Sequence, residues 1–166
     1  MKAFLRTLLV LLLLTGVAHS RQIGESESSM SLPRMVSLRS DNVHARSGPG
    51  KKYPIEWIYK QKGAPLEIIN EFELWRQVRD WEGSVSWIHK TLLTGKRFAK
   101  VITPGINNIY QRPDSEAKIV AKVEDGAIGE IKKCPKKSEF CLIKFESIEG
   151  WVNKKNVFGV YENEVL

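Results

Sequence analysis

Two kinds of side chain in this sequence commonly perform covalent or metal chemistry, namely cysteine and histidine. A thiol nucleophile would require Cys134 or Cys141 to lie beside His44 or His89 acting as base. The cysteines lie far along the chain from both histidines, and such catalysis also needs a cleft with a third, orienting group. A lone histidine without companions is weak evidence for a metal site. The sequence therefore predicts no catalytic residue, no metal and no cofactor.

A glycine-rich stretch, residues 42–54 (NVHARSGPGKKYP), raises the alternative of a phosphate site. A Walker loop has Gly-x-x-x-x-Gly-Lys followed by Ser or Thr, and joins a strand to a helix. Gly48, Gly50 and Lys51 do not have that spacing, and no helix is predicted after them. Glycines adopt positive φ at a sharp loop tip, which Pro49 would stiffen. We therefore interpret the stretch as the long first hairpin of a small β-barrel.

The first twenty residues have the layout of a secretory signal peptide. Lys2 and Arg6 charge the amino end, an apolar run follows, and Ala18 and Ser20 place small residues at the cleavage-defining positions. The apolar stretch, residues 8–18, is shorter than the about 20 residues that span a bilayer. We expect cleavage near Ser20, no stable membrane insertion, and a periplasmic or secreted protein.

Charge and composition describe the remainder of the chain. Removing Lys2 and Arg6 leaves 24 basic minus 19 acidic residues, or +5, which suits anionic partners. Nucleic acid is not expected, because an exported chain rarely meets it and no zinc-finger or RNA-binding motif is present. Residues 21–35 (RQIGESESSMSLPRM) are rich in Ser and Glu and are predicted to be a disordered linker.

The remaining chain repeats one pattern twice. Residues 63–68 are echoed by 126–131, residues 75–78 by 140–143, and residues 86–90 by 150–154. The spacings are 63 (126 minus 63), 65 (140 minus 75) and 64 (150 minus 86), which indicates two copies of one unit. We place the copies at residues 36–96 and 99–160. Residues 114–124 have apolar residues three apart and could be helical, but the repeat favours a strand.

Within each copy, β-branched and aromatic runs separated by Gly or Pro predict short strands. Residues 80–83 read Asp-Trp-Glu-Gly and are predicted to form a tight turn. The adjacent pair Ile68 and Ile69 breaks strict alternation, which predicts a β-bulge. The predicted fold class is therefore all-β, with two tandem small barrels.

The first copy resembles bacterial Src-homology-3-like (SH3-like) domains. The motifs that carry the resemblance are residues 42–50 (NVHARSGPG), Tyr53-Pro54, a Gly before Leu-Glu-Ile at 66–68, Trp75-x-x-Val78 and Trp87-Ile88. The second copy keeps the closing Gly150-Trp151, whereas Ser86 replaces that glycine in the first. The resemblance implies two SH3-like barrels of five or six strands, and the tandem arrangement is similar to exported proteins of Gram-negative bacteria.

The resemblance also implies a function in binding. The first hypothesis is a cell-envelope module that recognises peptidoglycan or its peptides, and the alternative is a periplasmic protein-protein interaction adaptor. The Ala-Leu-Tyr-Asp-Tyr-like opening of proline-rich peptide readers is absent. A wall-modifying enzyme is the least favoured function, because two small barrels leave no residues for a catalytic domain.

The two cysteines are better explained by a disulfide. Cys134 and Cys141 lie at the feet of a loop between two predicted antiparallel strands, where opposed Cα atoms lie about 4.5 to 5.5 Å apart. This separation suits a disulfide, and export places the pair in an oxidising compartment. Zinc would need two further ligands, and no Cys or His lies nearby.

A ligand site is predicted in the first copy. Alignment of the copies pairs Arg46 with Arg112, and it pairs Tyr53, Trp57 and Tyr59 with Glu116, Val120 and Lys122. The second copy would then lack these aromatics and three residues of the hairpin. By strand parity, Ile58 is predicted to be core and Trp57 and Tyr59 to face outward, while Trp75 and Trp87 are also expected in the core. The predicted site comprises Tyr53, Trp57, Tyr59 and Trp81, edged by Arg46, Lys51 and Lys52.

Overall fold

A computed structural model of the protein describes residues 30–166, which form two consecutive antiparallel β units. The predicted signal peptide and residues 21–29 of the predicted linker lie outside the described residues. Each sheet has seven strands, counting one two-residue strand in each unit. The all-β fold class with two tandem barrels is therefore confirmed. No helix among residues 30–166 is long and apolar enough to span a membrane.

The first barrel has the strand order β3-β2-β6-β5-β4-β1-β7. A short 3-10 helix, Lys90–Leu92, precedes its last strand. The strands are β1 (Arg34–Leu38), β2 (Val43–Arg46), β3 (Ile55–Tyr59), β4 (Pro65–Phe72), β5 (Trp75–Arg79), β6 (Val85–His89) and β7 (Leu93–Thr94). Arg34 and Met35, which the sequence analysis placed in the linker, pair with Ile68 and Glu67 of β4.

The second barrel repeats this order as β10-β9-β13-β12-β11-β8-β14. The 3-10 helix Lys154–Asn156 precedes its last strand. The strands are β8 (Phe98–Val101), β9 (Ile106–Tyr110), β10 (Ile119–Glu124), β11 (Ile128–Lys133), β12 (Phe140–Phe145), β13 (Ile148–Asn153) and β14 (Val157–Phe158). The ambiguous segment at 114–124 thus contains a strand, as the repeat predicted.

Local sequence signals explain the path of each strand. Alternate residues enter the core, as in β5 and β6, where Val78 and Ile88 are fully buried. The predicted bulge is present, because the β4–β5 register shifts between Ile68 and Asn70. The predicted tight turn is also present, since the Gly83 amide donates to the Asp80 carbonyl at 3.1 Å.

The predicted disulfide joins Cys134, directly after β11, to Cys141 in β12. Their Cα atoms are 4.3 Å apart, and both residues are fully buried in the second core. Cys134 also anchors the chain's last residues, because its amide and carbonyl each bond to Leu166, at 2.8 and 3.1 Å. The bridge therefore staples a hairpin and supports residues 161–166, which we call the tail segment.

Replacing both cysteines by serine is expected to lower the free energy of unfolding of the second barrel by about 2 to 3 kcal/mol, from the entropy of the closed loop. Urea unfolding followed by far-ultraviolet circular dichroism measures the change. The same protein under reducing conditions provides the matched comparison. An unchanged urea midpoint in both would contradict this stabilising role.

The two barrels contact each other along one seam. The Phe98 amide of β8 donates to the Ser37 hydroxyl of β1 at 3.2 Å. In the tail segment, the Tyr161 hydroxyl donates to Glu67 Oε1 of β4 at 2.9 Å. Lys100 Nζ lies 3.6 Å from the ring centroid of Trp81, a cation–π contact between barrels. Burial lowers the pKa of Lys100, against the opposing attraction of Glu82 and Asp80.

Candidate functional site

Three of the predicted site residues, Trp57, Tyr59 and Trp81, form one aromatic cluster. Tyr59 lies edge-on to both tryptophans, with centroid distances of 6.2 Å to Trp57 and 6.0 Å to Trp81. Its hydroxyl donates to Asp80 Oδ2 at 3.0 Å. Burial, reinforced by the Asp80 carboxylate, raises the pKa of Tyr59. The cluster packs against the first core, so it supports the barrel from within.

The predicted parity of β3 is wrong. Tyr59 is only 7% exposed, whereas Ile58, expected in the core, is 39% exposed. The register of β2 explains the difference, because Val43 pairs with Tyr59 and Ala45 with Trp57. Val43 and Ala45 are buried, and paired residues share a face. Trp57 and Tyr59 therefore face the core, and Lys100 of the second barrel covers Trp81.

The other four predicted site residues gather at the first hairpin. Arg46 Nη1 donates to the carbonyls of Tyr53 at 2.7 Å and Lys51 at 3.2 Å. Lys52 Nζ lies 5.4 Å from the Tyr53 ring centroid. The Tyr53 ring packs on Gly48, where a Cβ would lie 2.4 Å from Tyr53 Cδ1. The hairpin thus holds three cations on one rigid, aromatic-supported loop.

The outer face of β2, β6 and β5 extends this hairpin into an open cleft. Trp75 pairs with His89, their rings are edge-on at 5.3 Å, and Arg46 pairs with Trp87. The expectation that Trp75 and Trp87 are core is wrong, since Val78, Ser86 and Ile88 alternate with them and fill the interior. We call this space, about 450 Å³ in volume, the outer cleft; it is lined by Asn42, His44, Arg46, Lys51, Trp75, His89, Thr91 and Leu92.

His89 has a structural role as well as lining the outer cleft. Its side chain caps the 3-10 helix Lys90–Leu92 by accepting from the Thr91 amide, and its Nδ1 lies 2.8 Å from the Thr91 hydroxyl. Asn153 performs the same capping at the second 3-10 helix, where its Oδ1 accepts from the Lys155 amide at 2.9 Å. The sequence analysis considered His44 and His89 only as a possible base or metal ligand. The alternation of apolar residues in β6 is the signal that could have placed His89 beside Trp75.

Equivalent strands give the true correspondence of the two copies. Trp87 pairs with Arg46, and Trp151 pairs with Tyr110, so Arg46 corresponds to Tyr110 rather than Arg112. By the same pairing, Trp57 corresponds to Ala121 and Tyr59 to Val123. The hairpin loops, 47–54 and 111–118, have equal length, so the expected three-residue deletion is wrong. The loss of aromatic residues from the second copy is confirmed.

Key residues that line the outer cleft are replaced in the second barrel. Tyr110 stands where Arg46 does, Ser115 where Lys51 does, and Phe140 where Trp75 does. Phe140 is only 7% exposed and lies edge-on to Tyr110, with ring centroids 6.0 Å apart, so the equivalent aromatic is covered. The combination of exposed cations beside a half-buried tryptophan is therefore specific to the first barrel.

Metal and thiol chemistry find little support in residues 30–166. No group of three or more His, Cys, Asp or Glu side chains in this range is placed to hold a metal ion. Both cysteines are joined in the disulfide, so neither is a free thiol. His44 and His89 lie on the first barrel, whereas the disulfide lies in the second.

Comparison with known proteins identifies the repeated unit. A family model described as bacterial SH3 domain matches residues 39–95 and again residues 104–159. Solved structures of NlpC2 and NlpC1 from Trichomonas vaginalis are similar to 80% of this chain, with 16% and 17% identity and TM-scores of 0.35. The chain covers 50% and 48% of those two proteins, about half their length. No curated protein matches the chain.

Proposed function

The chain belongs to the bacterial SH3 domain family, and on this premise we propose that it is a non-catalytic, exported binding module of the cell envelope. We propose further that it recognises peptidoglycan, through the outer cleft of the first barrel. This places the protein in the periplasm or outside the cell after cleavage near Ser20. The Cys134–Cys141 bridge supports that location, because disulfides persist in oxidising compartments.

The chemistry of the outer cleft suits a wall peptide or glycan. Trp75 offers a large rigid surface at low entropy cost, which makes aromatic residues frequent anchors of binding sites. Lys51 and Arg46 line the same cleft, and Lys52 follows Lys51 in the hairpin loop. Cations attract the carboxylates of an anionic polymer and fix their position. A ligand can therefore stack on the ring while its carboxylates meet the hairpin.

The observation that carries the proposal is the asymmetry between the barrels. Both have the same strand order, yet only the first has Lys51, Arg46 and Trp75 around one cleft. If the fold itself required these residues, both copies would contain them. The first barrel is therefore the binding copy, and the second supports it.

Changing Lys51 and Lys52 together to glutamate is expected to reduce retention on washed sacculi about tenfold, because two attractive contacts become repulsive. Co-sedimentation with purified sacculi measures retention, and circular dichroism checks folding. Lys122→Glu is the matched control, since Lys122 is an exposed strand lysine of the second barrel. Equal retention of the double variant and the control would remove the outer cleft from the proposal. Failure of the unaltered protein to bind sacculi, together with a crosslinked envelope protein, would favour the adaptor function instead.

A further inference from the structure

A second, larger space lies between the barrels and shares no lining residue with the outer cleft. Its walls are β1, the 3-10 helix Lys90–Leu92 and β7 of the first barrel, together with Arg97 and the tail segment. Its volume is about 710 Å³. We call it the inter-barrel cleft. Because both barrels contribute to it, neither copy alone forms this site.

Five cations line the inter-barrel cleft, and few acids oppose them. The basic residues are Arg34, Arg39, Arg76, Lys90 and Arg97. Glu164 is the one acidic residue among those lining it, and it is paired with Arg97. Glu71 lies behind the wall and is shared by Arg34 and Arg76. Five cationic side chains therefore meet two acidic side chains, which leaves the cleft electropositive.

Several of these cations have unused donors among the described residues. Arg34 Nη1 and Arg97 Nε are buried without a hydrogen-bond partner there. Arg39 donates only to the Leu93 carbonyl, at 3.1 and 3.3 Å, and no carboxylate is paired with it in residues 30–166. The exposed Arg39 guanidinium therefore keeps donors that an incoming oxyanion could accept from.

The tail segment shows what kind of ligand fits. It lies along the cleft, where Arg97 Nη2 donates to Glu164 Oε2 at 3.0 Å and to the Gly159 carbonyl at 2.6 Å. Burial alone would raise the pKa of Glu164, but Arg97 and the Tyr161 amide outweigh burial and hold it below its usual value. Met35, Ile68 and Leu93 supply an apolar wall beside the cations. The cleft thus already holds one acidic peptide segment of this chain.

We propose that the inter-barrel cleft binds a second, extended peptide segment, which carries a carboxylate beside an apolar side chain. The carboxylate meets the exposed side chains of Arg39 and Lys90, while the apolar side chain packs on Met35 and Leu93. This site is distinct from the outer cleft and does not depend on it. The occupant we propose is a segment of a protein partner, because the segment already seated in the cleft is an acidic stretch of protein chain.

Fluorescence anisotropy with a labelled probe peptide, acetyl-Ser-Glu-Leu-Glu-Leu, tests the site on the whole protein. We expect saturable binding that weakens about tenfold when the probe is the amidated glutamine version, acetyl-Ser-Gln-Leu-Gln-Leu-amide. The variant Arg39→Gln/Lys90→Gln should lose a similar factor. Neither side chain has an acidic partner within residues 30–166, so this variant leaves the Glu71 cluster intact. Lys118→Gln, an exposed change on the second barrel, is the matched control and should bind as the unaltered protein does.

Two results would overturn the proposal. One is equal affinity for the charged and amidated probes, or for the double variant and its control. The other is displacement of the probe by an equal concentration of inorganic phosphate, which would show that no peptide is recognised. Competition with soluble peptides from digested sacculi identifies the source: displacement supports a wall peptide, and its absence supports a protein segment. Lys51→Glu/Lys52→Glu should bind the probe normally, which separates this site from the outer cleft.

Discussion

Replacing Glu71 by alanine is expected to lower the free energy of unfolding of the first barrel by about 3 to 5 kcal/mol. The Glu71 side chain is 2% exposed, and its Oε1 accepts from Arg34 Nη2 and, at 3.0 Å, from Arg76 Nε. Removing the carboxylate leaves two largely buried guanidinium groups facing each other without an anion. Breaking a buried pair in this way costs far more than the intact pair contributes.

Urea unfolding followed by tryptophan fluorescence suits this test, because four of the five tryptophans lie in the first barrel and only Trp151 lies in the second. Glu130→Ala is the matched control. Glu130 accepts from Lys96 and Lys132 at 2.8 and 2.7 Å, but at the surface, where such pairs contribute at most about 1 kcal/mol. Similar urea midpoints for the two variants would show that the buried cluster is not a stabilising element.

Structural features that depend only on short stretches of the sequence could be predicted. The 80–83 turn, the bulge at Ile68 and the Cys134–Cys141 bridge depend on residues close together in the chain or on one hairpin. Turn chemistry and period-two alternation act over a few residues, so a single sequence contains the necessary information. The fold class follows from the same signals, repeated twice.

The faces of β3 could not be predicted, because Ile55, Trp57, Ile58 and Tyr59 make both faces apolar. A one-residue change of parity exchanges the two faces, and only the partner strand decides between them. In β2, His44 is exposed while Val43 and Ala45 are buried, so the pairing turns Trp57 and Tyr59 inward. For this reason the predicted site residues separate into a cluster that faces the core and a group at the first hairpin.

A departure from the family motif also becomes clear only in three dimensions. A Cβ on Gly150 would lie 2.4 Å from Ile109 Cγ2 and 2.9 Å from the Tyr110 carbonyl. In the first barrel Ala45 occupies the position of Ile109, and its smaller side chain leaves room for Ser86. Gly150 and Ile109 of the second barrel are thus replaced by Ser86 and Ala45 in the first. The two positions lie on strands that are far apart in the sequence, so neither replacement can be explained without the other.

No local pattern in the sequence indicates which residues of the two barrels contact each other. Trp81 was an attractive anchor for a ligand, yet Lys100, from the next barrel, lies over its ring. Arg34 and Met35 looked like linker residues by composition, although both belong to β1. The inter-barrel cleft depends on these long-range placements, which explains why sequence reasoning predicted only the hairpin part of the two proposed binding sites.

The second large effect is expected at the seam between the barrels. Gly159→Ala should lower the free energy of unfolding by about 3 kcal/mol or more. Gly159 has φ +118, a conformation that strains any L side chain. A Cβ there would lie 2.3 Å from the Phe98 carbonyl oxygen and 2.9 Å from Pro65 Cβ. The added methyl group would meet the backbone at Phe98 on one side and Pro65 of the first barrel on the other. Neither can move away without separating the two barrels along the seam.

Two further glycine variants separate the causes of that loss. Gly126 has φ +80 but nothing within 4 Å of its Cβ position, so Gly126→Ala measures backbone strain alone. Gly95, the equivalent of Gly159 in the first barrel, has neither positive φ nor a near neighbour, and Gly95→Ala should change stability by less than about 0.5 kcal/mol. We expect the order Gly159, Gly126, Gly95 in urea unfolding. Only Gly159→Ala should also speed tryptic cleavage after Arg97, because it displaces the Gly159 carbonyl that Arg97 binds. A Gly159→Ala protein as stable as the Gly126→Ala protein would mean that the barrels do not hold each other along this seam.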